Sequence, residues 1–195
     1  VFGMNCGRLG FLMNNYENDD LPDRVATAET APLHPLRMTA TARDGSTHDA
    51  LAINEVSLLR QTHNAAHIAI SVNDKQQMEC LVCDGILVAT PAGSTAYNLS
   101  AQGPIIPLGG GLMALTPISA FRPRRWRGAL LPDESKVILD VLEHEFRPVS
   151  ASADSAEIRH VTRVAVEQAN DITLKLLYDP GFSLSERATR EQFLT

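Results

Sequence analysis

Hydrophobic and polar positions along the chain change their rhythm near residue 35. Before it, Val1 to Asn5 reads as the end of a strand, and Asn18 to Glu29 reads as a helix. Asp19 and Asp20 suit the helix N-terminus and Pro22 its first turn. The segment Ala31-Pro32-Leu33-His34-Pro35 breaks that pattern and is expected to be a domain boundary. Beyond it the period is that of strands. Leu36 to Ala42 and Ala50 to Arg60 are expected strands, joined by the turn Arg43-Asp44-Gly45-Ser46. His67 to Val72 alternates, with Asn73-Asp74 as its turn. Gln77 to Val82, Ile86 to Ala89, Lys136 to Leu142, Arg147 to Ala153, Glu157 to Val166 and Ile172 to Leu177 complete the strand set. Leu184 to Phe193 reads as a closing helix. Many short strands at regular spacing indicate a sandwich or a similar multi-sheet β domain.

One stretch departs from this texture. Between Gly85 and Phe121, 37 residues carry no Asp, Glu, Lys or Arg. Six glycines, four prolines and the polar Ser94, Thr95, Asn98, Ser100 and Gln102 exclude a membrane span. The stretch is either a buried core segment or a ligand-binding element; its many small and hydroxyl residues favour the second reading.

Composition narrows the classes. The chain has 195 residues, 44% of them hydrophobic, enough for a proper core. Its formal charge is −6 and its aromatics amount to 5%, which argues against nucleic acid. The lysines are Lys75, Lys136 and Lys175, and none follows a glycine-rich segment, which argues against a P-loop. Cys6, Cys80 and Cys83 form no disulfide framework and suit a reducing cytosol. Cys80 and Cys83, three apart on an expected strand, face opposite sides, and no second pair completes a zinc site. His63 and His67 have the spacing of a zinc-protease helix, but Asn64 stands where the glutamate is needed.

Several short motifs carry two readings each. Gly3-Met-Asn-Cys-Gly7-Arg-Leu-Gly10 is a tight turn or a nucleotide loop, and its spacing is not the Rossmann fingerprint. Asn54-Glu55 interrupts an apolar strand; the pair either grips a ribose or amide, or marks a solvated strand end. Asp84-Gly85 is a turn between strands. Thr90 to Asn98 reads as a loop entering a helix, with amides and hydroxyls suited to phosphate or ribose oxygens. Its Ala92-Gly93-Ser94-Thr95-Ala96 core is not a nucleophile elbow. Arg122-Pro-Arg124-Arg125-Trp126-Arg127 is a local anion site or a solvated loop with Trp126 packed down.

Taken in order, Gly3 to Leu12, Ile53-Asn54-Glu55-Val56, Asp84 to Asn98 and Leu115-Thr116-Pro117-Ile118 resemble NAD kinase, from Gly3 to about Asp179. The block from Asp84 to Asn98 is the most specific. The resemblance implies an α+β chain: a remnant of an N-terminal α/β domain (residues 1–35), a β-rich, sandwich-like NAD-binding domain (36–177) and a C-terminal segment returning to the first domain (178–195). It implies phosphoryl transfer from ATP or polyphosphate, with Mg²⁺ or another divalent cation, to the adenosine 2′-hydroxyl of NAD. Asn54 and Glu55 would hold the nicotinamide-side ribose or amide, and Phe11 and Leu12 would lie against the dinucleotide. Asp84, Thr95, Ala96 and Tyr97 would line the NAD site, some reaching into a neighbouring subunit's site, with Ser100 and Asp154 as weaker matches. A cytoplasmic homodimer or homotetramer is implied, with no membrane or nucleic-acid partner. The family's Gly-Gly-Asp-Gly segment, source of the presumed catalytic aspartate, does not occur in the chain. The expectation is therefore a chain that begins within the α/β domain and has negligible kinase activity alone. A non-catalytic dinucleotide-binding fragment and a lipid kinase of the diacylglycerol kinase type are the alternatives.

Overall fold

The computed structural model describes residues 1–7, 12–17, 19–124 and 126–181. The elements in chain order are β1 (Met4–Asn5), β2 (Asn14–Asn15), α1 (Leu21–Thr27), β3 (Glu29–Leu33), β4 (Leu36–Ala42), β5 (Thr47–Ala52) and β6 (Glu55–Arg60). They continue with β7 (Ala66–Val72), β8 (Lys75–Cys83), β9 (Gly85–Ala89), a 3-10 turn (Ala92–Thr95), α2 (Tyr97–Ser100) and β10 (Leu112–Ile118). The chain then runs through β11 (Ala129–Pro132), β12 (Val137–Leu142), β13 (Val149–Ala153), β14 (Ala156–Ile158), β15 (Val161–Gln168) and β16 (Leu174–Tyr178).

Two six-stranded sheets, ordered β11-β10-β9-β6-β13-β14 and β5-β4-β15-β12-β7-β8, pack face to face. All pairings within them are antiparallel. The core between them draws Met38, Ile68, Ile70, Leu139 and Val164 from one sheet and Val56, Leu58, Ile86, Met113 and Leu115 from the other. Alternation produces this directly: in β4, Leu36, Met38 and Ala40 point inward while the residues between them are partly exposed.

β9 is buried at every position, which alternation alone would not give. Ile86 and Val88 face the intersheet core, whereas Leu87 and Ala89 meet Ile106, Tyr97 and Ala101 on the opposite face. The segment that follows β9 therefore folds back over the first sheet. Part of the charge-free stretch is thus core in the plain sense.

Two expected strands are each divided. Ala50 to Arg60 is β5 and β6, which belong to different sheets, and Ile53-Asn54 is the crossing. Glu157 to Val166 is β14 and β15, separated by Arg159-His160, with His160 at φ 55°. The helix expected over Asn18–Glu29 is limited to Leu21–Thr27, because Glu29–Leu33 pairs as β3 with β16. The N-terminal residues are stitched to β16 by buried Asn14. Its Nδ2 donates to the carbonyls of Gly3 and Leu177, and its Oδ1 accepts from the amide of Asp179. Arg24 forks onto Asp179 at 3.0 and 2.6 Å and lies over the Phe2 ring. The expected helix Leu184–Phe193 falls outside the described residues.

Candidate functional site

Residues 53–55 cross from one sheet to the other, and four protein groups hold their backbone. Asp154, in the left-handed region at φ 47°, accepts three amide hydrogen bonds. Oδ2 takes Ile53 N at 2.7 Å, and Oδ1 takes Asn54 N and Glu55 N at 3.1 and 3.2 Å. The Asp154 amide donates back to the Glu55 carbonyl at 3.2 Å. From the other side, the Thr90 hydroxyl donates to the Ile53 carbonyl at 2.7 Å and the Thr90 amide to the Asn54 carbonyl at 2.9 Å. The same hydroxyl accepts the Gly93 amide at 3.0 Å. Gly93 lies on the Asn54 backbone so closely that a Cβ there would sit 2.1 Å from the Asn54 carbonyl oxygen. Only glycine permits that approach.

The consequence is an asymmetry between backbone and side chain. Amides and carbonyls of the crossing are consumed by the protein, while the Asn54 carboxamide has no partner among the described residues. Glu55 Oε2 is buried with no hydrogen-bond partner. Burial, and secondly the negative charge of Asp154, push the Glu55 carboxyl up from its ordinary value to about 7. Near neutral pH it exchanges between an acceptor and a donor. A carboxamide and a half-buried carboxyl without partners among the described residues offer both donors and acceptors to hydroxyls or an amide of a ligand.

The loop beyond Thr90 divides into structural and available groups. Ser94 is fully buried: its hydroxyl donates to the Pro91 carbonyl at 2.7 Å and accepts the Ile106 amide at 3.0 Å. Asn98, also fully buried, donates to the carbonyls of Ser94 and Pro104 and accepts the Thr116 hydroxyl at 2.6 Å. These two hold the 92–106 segment onto β10. Thr95, Ala96 and Tyr97 are partly exposed, Ser100 is exposed, and the hydroxyls of Thr95, Tyr97 and Ser100 have no partner among the described residues.

The structure brings Asn54, Glu55 and Asp154 together, with Asp154 acting on the backbone of the other two. Asp84 lies beyond the opposite end of β6, since Glu55 pairs with Ala89 and Leu59 with Gly85. That is about 17 Å along the strand. There Asp84 accepts Arg60 Nε at 2.6 Å. Tyr97 stands between the two: burial raises its hydroxyl pKa first, followed by the charges of Glu55 and of Asp84. Leu12 is partly exposed in the N-terminal segment before β2, and Phe11 lies outside the described residues. Thr90 and Gly93 are the positioning residues that sequence reasoning did not single out, although both stand in the motif Thr90-Pro91-Ala92-Gly93. Cys6, Cys80 and Cys83 are free thiols, and burial raises the Cys83 pKa to about 12, which fits inert strand cysteines. Among the described residues no group of three His, Cys, Asp or Glu side chains could hold a metal, His63 and His67 included.

Comparison with known proteins gives the family. The family model described as the ATP-NAD kinase C-terminal domain matches residues 53–172, from the crossing to the loop before β16. The NAD kinase of Hyphomonas neptunium is 59% identical over 193 residues, covering 99% of this chain and 76% of that protein. The NAD kinase of Caulobacter vibrioides is 56% identical over 193 residues, covering 99% and 74%. Among solved structures, yeast NADH kinase complexed with NADH superposes with TM-score 0.84 at 22% identity, over 97% of this chain and 57% of that one. An NAD kinase from Archaeoglobus fulgidus in complex with ATP gives TM-score 0.78 at 22% identity, over 97% and 72%. These last two share the fold. With a domain model spanning the crossing and its two anchors, and more than half of all residues shared with curated relatives over nearly the whole chain, the chain belongs to the NAD kinase family.

Proposed function

We propose that the protein transfers a phosphoryl group from ATP or polyphosphate to the adenosine 2′-hydroxyl of NAD, giving NADP, and that the Asn54-Glu55 crossing holds the dinucleotide. The observation that carries this is the unpartnered pair of side chains on a backbone whose own hydrogen bonds are satisfied. In this reading Asn54 and Glu55 grip ribose hydroxyls or the carboxamide. Thr95, Ala96 and Tyr97 line the same site, and Asp84 and Ser100 flank it. Asp154 holds the grip in shape through the backbone amides of residues 53–55 and, being exposed, borders the same site. Phosphoryl transfer requires little covalent chemistry from a protein; alignment and charge stabilisation supply most of the rate. The residues described here align the acceptor. A divalent cation would travel with the donor's phosphates; the described side chains offer it no cage, and no step is assigned to it. Among the described residues no helix is long and apolar enough to cross a membrane. A cytoplasmic homo-oligomer is the setting we propose, in keeping with three free cysteines.

The test is a phosphorylation assay on the purified full-length protein, with NAD, ATP or polyphosphate and Mg²⁺, and with diacylglycerol as a competing acceptor. Formation of NADP phosphorylated at the 2′ position is expected. Phosphorylation of the lipid with NAD untouched would overturn the reading.

A further inference from the structure

The two sheets part at one lateral edge of the sandwich. β8 and β11 are edge strands of different sheets, and both border the same gap. One end of that gap is pinned, because Val82 of β8 bridges to Arg122. Further along it opens into a cavity of about 410 Å³. Ile70, Met78, Leu115, Leu131 and Trp126 form an apolar wall drawn from both sheets. Ile70 and Leu115 are buried members of the intersheet core, so the cavity reaches into that core. Protein interiors leave few voids larger than a water molecule, and this space is far larger.

The shape of β8 makes the room. Two irregularities interrupt its ladder with β7. Ile68 pairs with Leu81 and Ile70 with Met78, so Glu79 and Cys80 together oppose Ala69. Ser71 then pairs with Gln76, which leaves Gln77 without an opposite residue. A bulge of this kind bends a strand and re-aims a side chain. The re-aimed side chain is that of Gln77, which lines the cavity. Its carboxamide has no hydrogen-bond partner among the described residues. No charged residue among the described ones lines the cavity.

This lining selects its occupant. A peptide segment brings an amide and a carbonyl with each residue, and one carboxamide cannot pair them all. An anion finds no cation in the wall to offset its loss of water. A hydrocarbon chain matches the wall. An apolar cavity of about 150 Å³ already holds benzene, so this one accommodates a chain of about ten carbons. A single hydroxyl on such a chain finds both a donor and an acceptor in Gln77.

We propose that this cavity binds a medium-chain aliphatic molecule with one uncharged hydrogen-bonding end, of the fatty-alcohol class, its chain between the sheets and its polar end at Gln77. The cavity shares no residue with the dinucleotide site described above, and the inference stands whether or not that site binds NAD.

The test titrates 1-hexanol, 1-octanol and 1-decanol into the purified full-length protein by calorimetry. Affinity is expected to rise about fourfold per added methylene, the equivalent of about 0.8 kcal/mol, and to level off once the chain fills the cavity. The emission of Trp126, identified by its loss in Trp126→Phe, should shift on binding. Ala129 also lines the cavity, and Ala129→Leu and the bulkier Ala129→Phe should weaken 1-octanol binding tenfold or more by filling it. Gln77→Leu should bind 1-octanol about fivefold more weakly, the loss of one neutral hydrogen bond; unchanged affinity there would overturn the placement of the polar end. Asn54→Ala should keep the wild-type affinity for 1-octanol, which separates this cavity from the dinucleotide reading. Binding of 1-octanol only as an oligomer dissociates, followed by sedimentation, would assign the cavity to a second copy and overturn the proposal. Absence of saturable binding, an affinity indifferent to chain length, or wild-type affinity in both folded Ala129 variants would overturn it as well.

Discussion

Replacing Asp154 by Asn probes the device that shapes the candidate site. Asparagine keeps the left-handed backbone at φ 47° and nearly the same volume. Its single carbonyl oxygen can retain the longer bonds to Asn54 N and Glu55 N, at 3.1 and 3.2 Å. The short 2.7 Å bond to Ile53 N is lost, since an NH₂ group then faces an N–H. A hydrogen bond to a charged acceptor contributes about 1.5–3 kcal/mol, and the exposure of both Asp154 and Ile53 favours the lower end, so a loss of about 1.5 kcal/mol is expected. Urea unfolding measures it. The released crossing no longer presents Asn54 and Glu55 in register, so KM for NAD should rise about tenfold, the equivalent of about 1.4 kcal/mol. A purely structural lesion would stop there. Removal of the Asp154 charge also relieves part of the pressure that holds the Glu55 carboxyl near 7, so any pH profile governed by Glu55 should move to lower pH. An unchanged unfolding midpoint, unchanged KM and unmoved pH profile would refute the positioning role.

Three further outcomes follow from the same geometry. Glu55 has a raised carboxyl pKa, so its contribution to stability is fully present below the unfolded value of 4.5 and is lost as pH rises through about 7. Glu55→Gln should match the wild type in urea unfolding at about pH 4; at about pH 8.5 it should be the more stable, by about 1–2 kcal/mol after solvent screening of a half-buried group. Equal stability at both values would count against the burial of an ionised Glu55. Gly93→Ala places a methyl group 2.1 Å from the Asn54 carbonyl oxygen, and thermal unfolding should show a loss of about 1–3 kcal/mol with weakened NAD binding. Asn98→Ala leaves the Thr116 hydroxyl and the Ser94 and Pro104 carbonyls without their partner in a fully buried place; a loss of about 2–4 kcal/mol is expected, and an unchanged melting temperature would contradict the network.

Much of the sandwich is legible in the sequence because strand burial follows alternation. β4 occupies Leu36–Ala42 as expected, and the continuous apolar run of β9 marks a strand covered on both faces. What alternation cannot carry is the division of Ala50–Arg60 between two sheets. That break depends on Asp154, a hundred residues away from Asn54 along the chain, and on Thr90. The interruption by Asn54-Glu55 was visible as a pattern fault; its cause is tertiary. β10 was hidden by Pro117, which ordinarily argues against a central strand. β11 pairs only as far as Leu115, so from Thr116 onward one side of β10 carries no ladder, and proline is tolerated. Pro32 and the neighbouring Pro35 read as a linker, whereas Glu29–Leu33 has β16 as its single strand partner among the described residues.

Motif resemblance points to the candidate site residues, and burial divides them into scaffold and available groups. Ser94 and Asn98, central in the longest motif, are buried scaffold. Asp154, one of the weaker matches, holds three amides of the crossing. Sequence spacing carries no information about which side chain of a motif turns inward, and here burial decides it.

The central claim is that the side chains of Asn54 and Glu55 hold NAD. Calorimetric titration of NAD into the full-length wild type and Asn54→Ala tests it most directly, because the backbone contacts of Asn54 survive the substitution. Loss of the carboxamide should weaken binding by about 1–3 kcal/mol, tenfold or more, with urea stability nearly unchanged. NAD affinity equal to that of the wild type would contradict the account.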